Sequence, residues 1–223
     1  FILGTALGGV RICQMPSKMY YEAAWPVRKL ALKCTPHTVT YLPDFKLYAL
    51  VTSALVPWEE RDIEEENVHG LSLAKVRRER AKANDDMELQ YSVRLLVPGS
   101  LDDAWQYALE PGEHVQCVRN VQLKDINTGA LNSLLAVGTA MPGGEDTPCR
   151  GRVILFQMVW ERDSESHAGY RWKGQVCCMR EARMACTALS ALDGHLMVAV
   201  GTKLTVHTWD AVSYTHLTLP TTV

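Results

Sequence analysis

Short runs in which apolar and polar side chains alternate, broken by turns rich in Gly, Asp, Asn and Pro, fill most of the chain. Residues 38–53 run through the turn Pro43-Asp44, residues 115–139 through Asn127-Thr128-Gly129, and residues 186–202 through Asp193-Gly194. Each reads as strand, turn, strand, the second strand made of small and branched residues and closed by Gly-Thr or Thr-Ser. A period of two sends successive side chains to opposite faces of a sheet. The third unit continues into a further alternating strand, residues 203–210, that ends in Trp209-Asp210. Residues 152–160 predict a long strand, with residues 174–179 as its partner across the polar loop 161–169, and residues 89–98 predict another. Repeated short antiparallel strands ending in Trp-Asp predict an all-β fold of β-propeller blades, WD40-like and incomplete. A β-sandwich fits the strand content nearly as well.

Residues 58–86 interrupt the pattern. They are dense in Glu and Arg, no apolar stripe runs through them, and residues 72–83 favour a helix. The segment is expected to be an insertion between blades, charged and partly helical or disordered.

Three stretches are similar to one known family. Tyr20-Tyr21-Glu22-Ala23-Ala24-Trp25-Pro26-Val27-Arg28-Lys29, followed by Leu32-Lys33-Cys34-Thr35-Pro36-His37, resembles a run of the largest subunit of the cleavage and polyadenylation specificity factor. Ala24 stands where that family usually has proline. Glu113-His114-Val115-Gln116-Cys117, and Val137-Gly138-Thr139 with Cys149-Arg150-Gly151-Arg152-Val153, are similar to further stretches of it, in the same order. The resemblance covers residues 10–210. It implies a propeller scaffold, shared in architecture with the large subunit of the UV-damaged-DNA ubiquitin ligase and with the spliceosomal branch-site scaffold.

The resemblance also implies a domain plan. Residues 1–26 would finish one propeller and residues 27–210 would supply the first blades of the next, with the insertion at 58–86. Residues 211–223 depart from the family and are similar to translated sequencing-adapter read-through, so they are expected to be a non-native tail. The chain starts at Phe1 without an initiator methionine and is expected to be an internal fragment.

Composition narrows the picture slightly. The 223 residues are 47% hydrophobic and 22% charged with a net charge of -2, which suits a soluble domain and does not suit a surface that attracts nucleic acid everywhere. No apolar run approaches the roughly 20 residues of a membrane-spanning helix. The seven cysteines are odd in number and never spaced Cys-x-x-Cys, which favours a reduced, intracellular protein.

Chemistry is sparse. Gly4-Thr5-Ala6-Leu7-Gly8-Gly9 lacks the spacing and the lysine of a nucleotide loop, and Pro142-Gly143-Gly144-Glu145-Asp146 puts carboxylates where a phosphate would sit, so no cofactor site is expected. Cys177, Cys178, Cys186 and His195 form the best local ligand cluster. Adjacent strand residues face opposite ways, so core cysteines are expected there rather than a metal site. The histidines His37, His114, His195 and His207 are expected to serve structure through hydrogen bonds to the backbone. No catalytic residue is expected, since the acidic pairs Asp85-Asp86 and Asp102-Asp103 fall in loops.

The basic run Lys75, Arg77, Arg78, Arg80 and Lys82 is the one candidate nucleic-acid contact. Clustered cations release counterions from a phosphate backbone, but no aromatic residue between Trp58 and Tyr91 offers a stacking platform. A solvated charged face is the competing reading.

The resemblance implies a nuclear, non-catalytic scaffold of pre-mRNA 3′-end cleavage and polyadenylation. It implies as partners a WD-repeat subunit, a zinc-finger subunit and an endonuclease module, with pre-mRNA bound directly or through them. The alternatives within the fold are a DNA-damage ubiquitin-ligase adaptor and a spliceosomal scaffold.

Overall fold

The computed structural model describes residues 2–5, 9–14, 27–57, 87–142, 149–162 and 170–211, and every regular element in them is a β-strand. β1 (Ile2–Thr5), β2 (Gly9–Cys13) and β3 (Val27–Ala31) form one antiparallel sheet. β4 (Thr35–Leu42), β5 (Leu47–Pro57), β6 (Met87–Leu96) and β7 (Asp103–Ala108) form the second, in sequence order. β8 (His114–Lys124), β9 (Leu131–Ala140), β10 (Gly151–Arg162) and β11 (Tyr170–Ala182) form the third. β12 (Cys186–Leu192), β13 (His195–Val200) and β14 (Lys203–His207) form the fourth. Both the basic run at 75–82 and the insertion 58–86 lie outside the described residues, as do residues 212–223 of the expected tail.

The three repeats seen in the sequence are the first hairpins of the second, third and fourth sheets. β4 packs beside β1 and β8, and β8 beside β12, so the first strands of successive sheets adjoin. That convergence is the arrangement of propeller blades. β3 pairs with β2 in register Val10↔Leu30 and Ile12↔Arg28, so hydrogen bonding runs across the position expected to divide two propellers.

Alternation decides which seam each side chain fills. Ala49 and Val51 of β5 face the third sheet, while Leu50 between them faces the first, with Val10 and Leu96. On β9, Leu135 and Val137 join the seam with the second sheet and Leu134 and Ala136 the seam with the fourth. Phe156 is fully buried in the second-to-third seam, edge-on to Trp105 and Tyr107 at 5.4 and 5.1 Å between ring centroids. Burying such a side chain contributes about 1.5–3 kcal/mol.

Candidate functional site

The resemblance-bearing stretches meet inside the third sheet. Glu113 lies at the entrance of β8, Thr139 near the end of β9 and Arg152 near the start of β10. Only 1% of Glu113 is exposed, which a carboxylate tolerates when it is paired and hydrogen-bonded. Arg152 meets it with two teeth, Nε to Oε1 at 2.6 Å and Nη2 to Oε2 at 2.5 Å. The Thr139 hydroxyl donates to Glu113 Oε1 at 2.6 Å, and the Arg152 amide donates to the Thr139 hydroxyl at 3.0 Å.

The glycines of those stretches are there for space. A Cβ on Gly138 would stand 2.7 Å from Cys117 Sγ and 3.1 Å from Cys186 Cβ, and one on Gly151 would strike the Thr139 carbonyl. Sequence reading missed the Glu113–Arg152 pair. Its signal was an Arg set beside an obligatory glycine and an acid at a strand entrance.

A second cluster joins the second and third sheets. Tyr91 stacks on His37 at 4.6 Å and tilts against His114 at 5.1 Å between ring centroids. His37 Nε2 hydrogen-bonds the Ser53 hydroxyl at 2.7 Å, and burial lowers the His37 pKa. His207 Nε2 likewise pairs with the Thr205 hydroxyl at 2.8 Å, with its pKa lowered by burial first and by Arg180 second. For both rings the partner at Nε2 is a side-chain hydroxyl, where a backbone group was expected. Burial favours the neutral form of both rings; His37 ties β4 to β5, while His207 pairs within β14.

The Trp-Asp ending is docked on the neighbouring turn. The Asp125 carboxylate accepts from Thr128 Oγ1 at 2.5 Å, from the Thr128 amide at 3.1 Å and from the Ala211 amide at 3.1 Å. The Ile126 amide donates to the Trp209 carbonyl at 3.0 Å, and Asn127 Nδ2 to Asp210 Oδ1 at 2.8 Å. The hydroxyl of Thr128 is the main reason that the Asp125 pKa is depressed.

The cysteines correct one expectation. Val176 stands opposite Phe156 and Cys178 opposite Leu155, leaving Cys177 as an extra residue at a bulge. Alternation therefore breaks, and Cys177 and Cys178 both enter the core that also holds Cys117 and Cys186. Burial pushes the thiols of Cys177 and Cys186 up to about 12. Those are groups for packing, since the thiolate is the reactive form. Among the described residues no three of His, Cys, Asp and Glu are placed to hold a metal ion.

An exposed aromatic group lies on β10 and β11. Trp160 on β10 is 53% exposed and Tyr170 on β11 is 46% exposed. Their ring planes lie within 9° of parallel at 6.1 Å between centroids, and Trp160 also meets Trp172 edge-on at 4.9 Å.

Comparison with known proteins accounts for these buried motifs. Residues 90–218 match the family described as the CPSF A subunit region. The chain is 33% identical over 219 residues to cleavage and polyadenylation specificity factor subunit 1 of Arabidopsis thaliana, covering 94% of this chain and 15% of that protein. It is 30% identical over 224 residues to the probable subunit 1 of Oryza sativa subsp. japonica, covering 96% of this chain and 15% of that protein. It is 26% identical over 204 residues to the protein cft1 of Aspergillus fumigatus, covering 88% of this chain and 14% of that protein. The chain thus spans about one seventh of the length of these relatives. Its buried Glu113, Thr139 and Gly151 and its half-buried Arg152 all fall within the matched residues, and the chain belongs to the family of the CPSF A subunit region.

Proposed function

We propose that this chain is part of a non-catalytic scaffold subunit of the nuclear machinery that cleaves and polyadenylates pre-mRNA. The observation that carries the reading is where the resemblance-bearing residues go. Glu113, Thr139, Gly138 and Arg152 are spent on packing and an internal ion pair, so the wording shared with subunit 1 of the specificity factor specifies a rigid body. A rigid stack of blades offers broad surfaces to several partners at once. Those partners are a WD-repeat subunit, a zinc-finger subunit and the endonuclease module, and the domain plan is a propeller end at 1–26 followed by blades from residue 27.

Lys75, Arg77, Arg78, Arg80 and Lys82 are the proposed RNA contact. Reversing those five charges in the full-length protein is expected to reduce RNA crosslinking without changing the recovered subunits.

The test of the reading is affinity purification of the full-length native protein with mass spectrometry of what accompanies it. Recovery of the endonuclease with zinc-finger and WD-repeat subunits supports it. Recovery of cullin and ubiquitin-ligase receptors, or of spliceosomal subunits, in their place overturns it.

A further inference from the structure

We propose that Asp193-Gly194, the turn between β12 and β13, is a modification site at which Asp193 converts spontaneously to isoaspartate, and that the conversion loosens the hold of the fourth sheet on the third. The proposal stands on the turn alone and is independent of the scaffold reading.

The sequence sets this position apart. Of the 15 glycines in the chain, Gly194 alone follows an Asp or an Asn. Isoaspartate forms when the amide nitrogen of the next residue attacks the side-chain carbonyl carbon of Asp, and a glycine there has no Cβ to hinder the approach. Asp44, Asp102, Asp103, Asp125 and Asp210 are all followed by residues that carry a side chain.

Neither reacting group is engaged. Asp193 is exposed, and its carboxylate has no hydrogen bond or ion pair with any of the described residues. The pair Leu192↔His195 closes the ladder of β12 and β13, which leaves Asp193 and Gly194 outside it, and the Gly194 amide donates to none of the described residues. With φ of 50° at Asp193 and 78° at Gly194, the chain makes the tight two-residue turn that Asp-Gly favours. No existing bond to a partner has to be given up before the ring closes.

The chemistry balances without an outside reagent. The Gly194 nitrogen bonds to Asp193 Cγ, while its proton, a proton from solvent and one carboxylate oxygen leave as water, and a succinimide ring remains. Water then adds to either ring carbonyl and the solvent proton is returned. Opening at the former side-chain carbonyl restores aspartate. Opening at the former main-chain carbonyl leaves the chain running through the side chain, one methylene longer.

That methylene falls where there is little room. The Gly194 carbonyl accepts from the Lys124 amide at 2.8 Å, and a Cβ at Gly194 would stand 2.6 Å from Lys124 Cβ. A lengthened turn no longer matches the twist of the strands that it joins. The displaced carbonyl then leaves the Lys124 amide without its partner, beside the core that Leu123 and Leu196 share.

The test is ageing of the full-length protein that carries this chain, at body temperature and mildly acidic pH in water enriched in heavy oxygen, followed by peptide mapping. Each passage through the ring leaves one heavy oxygen behind. Isoaspartate carrying the label is expected at residue 193 and at none of Asp44, Asp102, Asp103, Asp125 and Asp210. In the converted fraction the Lys124 amide hydrogen is expected to exchange faster than in fresh protein. Asp193→Glu, whose longer side chain would have to close a larger ring, is expected to lose the label, with thermal melting showing that it keeps its fold. Asp193→Asn, which expels ammonia in place of water, is expected to reach the same product sooner. Three results would each overturn the proposal: no label at residue 193 by the time the free peptide of residues 191–196 has half converted, equal labelling at the other aspartates, or unchanged Lys124 exchange in the converted fraction.

Discussion

Arg152 reaches across 39 residues of sequence to close a two-toothed ion pair on Glu113, with both groups taken out of water. Removing one partner strands the other. Glu113→Ala is expected to destabilise the fold by about 3–5 kcal/mol, whereas the double replacement Glu113→Leu with Arg152→Met should cost less than the sum of the single changes. Chemical unfolding of Glu113→Ala and of the four proteins of the Leu and Met cycle measures both. A Glu113→Ala loss under about 1 kcal/mol, the range of an exposed pair, would refute the assignment.

Gly138 on β9 leaves no room for a Cβ between Cys117 of β8 and Cys186 of β12. Gly138→Ala drives a methyl group into Cys117 Sγ, and overpacking of this kind costs about 1–3 kcal/mol. Adding Cys117→Ala should restore part of the loss by vacating the space. If the second change makes the protein worse, steric crowding is not the cause.

Stability should fall on mild acidification. His37 and His207 are held below their ordinary 6.5 by burial, so the unfolded chain takes up protons that the folded chain refuses. Their contribution is complete above 6.5 and is lost as pH falls from there through the lowered folded values. Thermal melting between about pH 7 and about pH 5 should show a declining midpoint. His37→Gln with His207→Gln, which keep partners for Ser53 and Thr205, should flatten that slope. Asp125, also depressed, adds loss of the same sign at lower pH, beginning near 3.8.

Thiol labelling should be ordered by burial. Cys34 and Cys149 are half-buried, while Cys117, Cys177, Cys178 and Cys186 are buried. Among these six, an alkylating reagent at neutral pH followed by peptide mapping should modify Cys34 and Cys149 first. Cys177 and Cys186, with thiols near 12, should react only at the rate of unfolding. Early modification of Cys177 would contradict its place in the core.

Local chemistry was legible in the sequence and distant chemistry was not. The turn at Asp193-Gly194 announces the hairpin β12–β13 because both residues adopt positive φ, 50° and 78°. The long strand read at 152–160 is β10, and its partner is β11, which starts four residues earlier than its apolar pattern suggested because exposed Tyr170 and the charged Arg171 and Lys173 break the apolar run there. The Glu113–Arg152 pair was missed because its two local hints, an acid at a strand entrance and an Arg beside a glycine, do not name a partner 39 residues away. The burial of Cys177 and Cys178 was read correctly, but not their entry into the same core, because a bulge leaves no mark in the alternation of hydrophobic residues that placed them on opposite faces.

Since Leu135 and Val137 serve one seam and Leu134 and Ala136 the other, the third sheet behaves as a party wall whose two sides belong to different neighbours. The parity of a residue number on β9 then tells which neighbour notices a substitution there. Inserting or deleting one residue in such a strand exchanges both sides together. A lesion of that kind opens two seams at once, and its damage to the assembly exceeds that of any single replacement in the same strand.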